Sequence, residues 1–307
     1  MQYWPRKRAL KTLPSVNWDG IIKANSDKKI LGFIGYKVGM KSLYVKDNTP
    51  DSMTKNKRIV IPITILECPP MKILSVRFYK NKKVVSDVLL NDLDKSLKRK
   101  IKIPGKITKK IEDIKDFDDV RILAYSLVNN TSIKKRPDIV EIALSGTKED
   151  KLNFIKENLN KEINPQDVFK LKDLVDTHGL TKGKGLQGPV KRFGIGLRQH
   201  KSEKGQRKVG SIGPWHPARV TFRTPMAGQL GMFTRVIYNN KIIVIGNVSK
   251  NDINLKSGFN NYGKISTNYI IINGSIQGPP KRSLILTHAL RKTRKQEKKS
   301  YEFIELR

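Results

Sequence analysis

Twelve cations crowd into residues 181–235: Lys182, Lys184, Lys191, Arg192, Arg198, Lys201, Lys204, Arg207, Lys208, Arg219, Arg223 and Arg235. One acid, Glu203, stands among them, so this 55-residue window carries a net charge of +11. The chemistry open to such a set is neutralisation of a polyanion. Each phosphate neutralised releases a condensed counterion and adds about 0.7–0.9 to the salt slope of log affinity. Eight glycines between Gly183 and Gly213 are interleaved with the cations, and without a Cβ their backbone can approach another backbone closely. The window cannot bury a core of its own. Gly213-Pro214-Trp215-His216-Pro217 makes a stiff turn with Lys208 upstream and Arg219 downstream. A tryptophan is ordinarily core filler, but on a rigid tip amid cations it suits stacking on a base or wedging between two. Trp215, His216 and the twelve cations are therefore the candidate nucleic-acid-binding residues.

Rival chemistries fail on these same residues. Gly183-Lys184-Gly185-Leu186-Gln187-Gly188 matches G-x-G-x-x-G, with Glu203 twenty residues after Gly183. A dinucleotide site needs a strand before the motif and a helix opening on its last glycine. Pro189, Gly194 and Gly196 follow so closely that no helix is expected to propagate. A Walker A loop is absent too. Metal-assisted cleavage needs converging carboxylates, and Glu203 is alone. His178, His200, His216 and His288 are scattered, with no H-x₃-H pair and no cysteine beside them. No cofactor, metal or catalytic residue is nominated.

The whole chain has 307 residues with 62 Lys+Arg against 27 Asp+Glu, a formal charge of +35. Self-repulsion on that scale penalises a compact state unless a polyanion offsets it; nucleic acid is the first partner to consider and a membrane surface the second. The charge is unevenly placed. Residues 87–176 hold 19 Lys/Arg and 17 Asp/Glu, net +2, whereas the other 217 residues hold 43 and 10, net +33. The first segment has the mixed composition of a solvated domain and the remainder that of a phosphate-facing surface. Cys68 is the single cysteine, which excludes an internal disulfide or a Cys-rich zinc site. No run approaches the ~20 apolar residues that span a bilayer; Pro62 interrupts the longest, Ile59–Leu66. The basic N-terminus lacks an apolar stretch of the secretory kind, so an intracellular, reduced setting is expected, with neither membrane nor small-molecule substrate.

Strand-like runs fall at Ile30–Val45, Arg58–Leu66, Lys72–Phe78, Val84–Leu90, Leu230–Tyr238, Lys241–Val248, Tyr269–Ile272 and Ser283–Thr287. Several are apolar on both faces, as in a closed or covered sheet. Asn239-Asn240 reads as a two-residue hairpin turn. Leu152, Ile155 and Leu159 recur at helical spacing, and Asn164-Pro165-Gln166-Asp167 reads as the start of a helix running to about Asp176. The absence of a helix-turn-helix, zinc-finger or basic-zipper pattern favours RNA over DNA. An RNA-modifying enzyme and a basic DNA binder are the rivals.

A family resemblance rests on Thr181–Gly185, Gln187–Gly194 and Gly213–Val220. It extends to Gly32–Met40, Glu67–Met71, Met226–Gly231, Asn261–Gly263 and Gly274–Pro279, in order along nearly the whole chain. These blocks resemble the ribosomal large-subunit protein three family, in its archaeal and eukaryotic form. The resemblance implies a mainly β fold: a small closed β-barrel (30–90 plus 165–290) with an inserted mixed-charge α/β domain (91–164). It also implies a basic arm at 1–29, a basic glycine-rich loop at 181–232 and a basic tail at 291–307. It implies a structural, non-enzymatic constituent of the large subunit in the cytoplasm. The partners would be large-subunit ribosomal RNA and neighbouring ribosomal proteins, with a role in early subunit assembly. The loop would be a "tryptophan finger" reaching toward the peptidyl-transferase centre on the aminoacyl-tRNA entry side, with Trp215 at its tip and the loop and basic ends ordering on RNA. Eukaryotic members carry a modifiable histidine where this chain has Glu203, so that modification is not expected.

Overall fold

A computed structural model describes residues 6–27, 29–91, 93–105, 109–114, 116–201 and 204–307. The chain forms two compact units, one of residues 1–12 and 180–235, the other of 13–179 and 236–307.

The larger unit is dominated by antiparallel strands. These are β1 (Gly32–Asp47), β2 (Arg58–Glu67), β3 (Met71–Lys80), β4 (Lys83–Leu89), β5 (Asp119–Ser126), β6 (Ile139–Ala143) and β7 (Leu174–Leu180). Beyond the small β8 (Gly185–Gln187) and β9 (Gly228–Leu230) come β10 (Thr234–Asn247), β11 (Asn268–Asn273), β12 (Ser283–His288) and β13 (Tyr301–Leu306). A seven-stranded sheet runs β12-β7-β10-β11-β2-β1-β13, and β12 also pairs with β1. The pairings thus return to their starting strand. β1 makes this possible by its length: Gly32–Tyr36 pair with β12, and Leu43–Asp47 pair with β13. Its other edge pairs with β2 from Tyr36 to Lys46. A short helix, α1 (Trp18–Ala24), precedes β1, and a second sheet, β4-β3-β5-β6, carries short helix α2 (Lys148–Glu157) beside it. Phe33 and Ile34 of the first sheet and Val76, Ile122 and Ile142 of the second share one core with Ile155 of α2.

Most strand expectations hold. The helix expected over 165–176 does not: α3 spans Pro165–Val168 alone. Its start is as read, since the Asn164 N–H donates to Asp167 Oδ2 at 2.8 Å. Beyond it every residue of Leu174–Leu180 is buried in β7, and burial in the sheet overrides a helical start of one turn. The hairpin expected at Asn239-Asn240 is also corrected. Asn239 does adopt φ 58°, but β10 continues through it as a single strand. The reason is a contact from elsewhere in the chain: the Asn239 N–H donates to Asp176 Oδ1 at 2.8 Å. Asn240 is buried, with its Nδ2 donating to the Asn273 carbonyl at 3.3 Å. The basic tail is partly regular as well, since α5 (Arg294–Lys298) leads into β13. Trp18 and Cys68 are buried in the core.

Buried polar groups pin the sheet. Glu67 accepts from Ser266 N (2.8 Å), Thr267 N (3.1 Å), Thr267 Oγ1 (3.0 Å) and the Tyr262 hydroxyl, tying the 249–267 segment to β2. Asp47 heads the turn after β1. Burial opposes its ionisation, yet hydrogen bonds from Thr49, Thr54 and Ser52 outweigh that and hold its pKa at about 2. His178 of β7 sits 3.1 Å from Thr287 Oγ1, and burial lowers its pKa to about 4. The unfolded chain therefore takes up this proton first, near the ordinary histidine value of about 6.5. The stability gained from a neutral buried imidazole is complete above that value and declines as pH falls toward about 4, by at most about 1.4 kcal/mol per pH unit. Chemical denaturation of the full chain between those two pH values checks this. His178→Gln is expected to flatten the decline relative to wild type, whereas parallel curves contradict the assignment.

Candidate nucleic-acid interface

The smaller unit is built around a base and a long excursion. At the base β8 pairs antiparallel with β9. The Thr181 N–H donates to the Phe233 carbonyl (3.0 Å) and the Lys184 N–H to the Leu230 carbonyl (2.9 Å). Gly231 closes this ladder at φ 78°, where an added Cβ would lie 1.9 Å from the Lys182 carbonyl oxygen. Between the two limbs a helix of one turn, α4 (Pro189–Phe193), opens on Gly188 and ends at left-handed Gly194, whose N–H donates to the Val190 carbonyl at 2.8 Å. The expectation of no helix at this point is thus corrected: Pro189 suits a first helical position because its missing N–H has no partner there anyway. The glycine caps it after five residues.

The predicted site residues separate into two groups. Lys182, Lys184, Lys191, Lys201, Lys204, Arg207, Lys208, Trp215, His216, Arg219 and Arg223 are exposed, while Arg192, Arg198 and Arg235 are half-buried. The half-buried arginines hold the loop's own backbone. Arg192 Nε donates to the Gln229 carbonyl (3.1 Å) and Nη1 to the Met226 carbonyl (2.9 Å), crossing from one limb to the other. Arg198 Nη2 donates to the Val209 carbonyl at 2.5 Å, and its N–H to the Gln206 carbonyl at 3.1 Å. Arg235 Nη1 reaches the Thr234 carbonyl at 2.8 Å, and its guanidinium lies 5.2 Å from the Phe233 ring. Trp215 is 89% exposed at the turn, just before the cis His216–Pro217 bond. Thr224 Oγ1 donates to the Ile212 carbonyl at 3.0 Å behind the tip.

The electrostatic setting differs sharply from that of the larger unit. There Arg77 pairs with Asp87 and Glu141, each at 2.9 Å. Arg121 pairs with Asp119 (3.3 Å), Glu141 (3.1 Å) and Asp19 (2.9 Å), and Lys151 with Asp119 (2.5 Å). In the loop, Lys182, Lys184, Lys191, Lys208, Arg219 and Arg223 have no carboxylate within ion-pair distance among the described residues. Glu203 lies outside those residues. Exposed Leu197, Ile212, Val220 and Phe222 accompany Trp215. Phe222, exposed with the Arg223 guanidinium 5.8 Å from its ring, is a further candidate that composition alone missed; its signal was an aromatic directly before Arg223 in an acid-poor window. Among the described residues no group of three or more His, Cys, Asp or Glu could hold a metal ion, and no helix is long and apolar enough to cross a membrane.

A family model described as Ribosomal protein L3 matches residues 1–307. The chain belongs to the ribosomal protein L3 family. It is similar to the large ribosomal subunit protein uL3 of Methanosphaera stadtmanae, 41% identical over 95% of this chain and 90% of that protein. The uL3 protein of Methanocaldococcus jannaschii is 40% identical over 95% and 90%. That of Picrophilus torridus is 37% identical over 96% and 91%. Ribosomal protein L3 relatives are structural proteins and not enzymes.

In this L3-family chain the base of the loop depends on Gly231. Any side chain there combines a disfavoured left-handed backbone, costing about 1–2 kcal/mol, with a clash against the Lys182 carbonyl. Gly231→Ala is expected to raise hydrogen exchange at the Thr181 and Lys184 amides while the amides of β1 and β12 keep their protection. Unchanged exchange at Thr181 and Lys184 would show that the ladder does not need this glycine.

Proposed function

We propose that this L3-family chain is a structural constituent of the large ribosomal subunit in the cytoplasm. It binds large-subunit ribosomal RNA, supports early subunit assembly and lies against neighbouring ribosomal proteins. The observation that carries the RNA reading is the loop itself: exposed cations without described carboxylates flank an exposed Trp215 along the chain. Phosphate is the counter-charge such a surface lacks, and a base is the flat partner an exposed indole lacks. In this reading the loop extends toward the peptidyl-transferase centre on the aminoacyl-tRNA entry side, with Trp215 at its tip. On the same reading the ring of paired strands is a small closed barrel, and residues 91–164, rooted on the second sheet, form its mixed-charge insertion. The basic N-terminal arm and the basic tail at 291–307 add flanking RNA contacts.

Sedimentation of the full chain with large subunits tests the first part. Migration with the subunit in high salt, lost on ribonuclease digestion, is the expected outcome; free protein at moderate salt refutes it, and a preference for duplex DNA over large-subunit RNA fragments would favour a DNA binder. Trp215→Ala tests the tip. Loss of one stacked base costs about 1–3 kcal/mol. The variant should fold normally yet perturb aminoacyl-tRNA accommodation and the chemical footprint of the catalytic centre in mutant ribosomes. Unchanged accommodation and footprints would remove Trp215 from that role.

A further inference from the structure

Two guanidinium groups converge on one aromatic ring at the base of the loop. Arg6 Cζ lies 4.5 Å from the centroid of the Phe193 ring and Arg192 Cζ lies 5.0 Å from it. Arg6 Nη1 donates to the Arg192 carbonyl at 3.3 Å, and Ala9 N to the Met232 carbonyl at 2.9 Å, which lays residues 6–9 along the loop. Arg192 spends Nε and Nη1 on the Gln229 and Met226 carbonyls. Its guanidinium lies so close to Gly228 that an added Cβ would come within 2.8 Å of it. Arg6 Nε is buried and has no hydrogen-bond partner among the described residues. Neither arginine has a carboxylate within ion-pair distance among those residues.

This arrangement is unfavourable for the protein alone. Like charges share one ring, and a buried charged N–H is left unsatisfied, an expensive state. Burial and the Arg6 charge both weaken the hold of Arg192 on its proton. Phe193 offsets part of this, since each cation gains from the ring face, but a neutral ring cannot accept Arg6 Nε–H. An anion can.

We infer that Arg6, Arg192 and Phe193 form a binding site for one RNA phosphodiester, shared by the two guanidiniums. The inference rests on the RNA-binding reading above and goes beyond it in naming one pocket with one anion. A planar guanidinium fork matches the oxygens of a phosphate. Arg192 already joins α4 to residues 226–229, so a phosphate bridging it to Arg6 links the N-terminal arm and both limbs of the loop. The site then does two things: it contributes affinity, and it sets the arm and the loop base in register on the RNA.

The test is a salt titration of the full chain binding a large-subunit RNA fragment, comparing wild type, Arg6→Gln and the double variant Arg6→Gln/Arg192→Gln. Arg6→Gln should weaken binding. The double variant should lower the salt slope by about 0.7–0.9, the contribution of one phosphate. A fall of twice that size means two separate phosphates and overturns the shared site. An unchanged slope overturns it as well, while salt-dependent binding by the wild type leaves the broader RNA reading intact. If the wild type binds the fragment without salt dependence, both readings fall. Because Arg192→Gln also removes a clamp on the loop, a second measurement uses the wild type alone. The Arg6 Nε–H resonance should shift saturably on adding inorganic phosphate; no shift overturns the site. Displacement of the RNA by an acidic peptide with equal effect at that resonance would assign the pocket to a protein carboxylate instead.

Discussion

The constraint behind this structure is where the carboxylates go. A chain with 27 acids against 62 basic residues cannot neutralise itself, so each acid has a large effect on its surroundings. They are placed where the fold must hold without help. Arg77, Arg121 and Lys151 are neutralised by Asp87, Asp119 and Glu141 on the second sheet. Buried Glu67, Asp138 and Asp176 face donors rather than solvent: Glu67 takes two backbone N–H groups and two hydroxyls. Asp138 takes the Tyr36 hydroxyl at 2.7 Å, and Asp176 takes the Asn239 and Leu290 N–H groups at 2.8 and 2.9 Å. Burial still pushes the Asp176 carboxyl up against those two hydrogen bonds. The larger unit thus holds together electrostatically from within.

The smaller unit uses different means. Its base is held by backbone hydrogen bonds, by glycine where a Cβ would collide, and by arginines donating to carbonyls. Carbonyl oxygens accept from a guanidinium without cancelling its charge. Arg192 and Arg198 can therefore shape the loop and leave its field in place, which a salt bridge would not do. Lysine suits the complementary role, because its ammonium is a compact, strongly hydrated point charge on a flexible stem. Lys182, Lys184, Lys191, Lys204 and Lys208 stand exposed along the same segment. The two residue types divide the work of building the surface and presenting it.

Much of this was legible in the sequence, for identifiable reasons. Strands with both faces buried, such as Ile270–Ile272 and Leu284–Leu286, announce themselves as short runs of β-branched and aliphatic residues. The loop announces itself by composition, because unneutralised charge and glycine together permit little else. The misreadings lie where a local signal was correct but its consequence was decided elsewhere. Asn164 and Asp167 do cap a helical turn, but burial of Leu174–Leu180 ends it. Asn239 does take positive φ, but Asp176, 63 residues earlier, accepts its N–H and keeps the strand running. Pro189 does bar an incoming hydrogen bond, yet at a first helical position none is due. The pairing of β1 with β12 and β13 joins residues far apart in the chain and leaves no local trace.

Arginine roles were the part of the site that composition could not resolve. Counting charge treats Arg192 and Arg219 alike, though one spans two limbs of the loop and the other stands in solvent. The distinction matters for how a surface of this kind evolves. An exposed lysine over a phosphate can be lost for the cost of one contact, because neighbouring cations keep the field. Replacing Arg192 removes a contact and also releases Gln229 and Met226 from their clamp. Gly228 and Gly231 are bound into the same arrangement: a Cβ at Gly231 would meet the Lys182 carbonyl, and one at Gly228 would push the Arg192 guanidinium off its clamp. The residues that constrain this loop most are therefore its small and half-buried ones, and the abundant cations around them are individually the most replaceable.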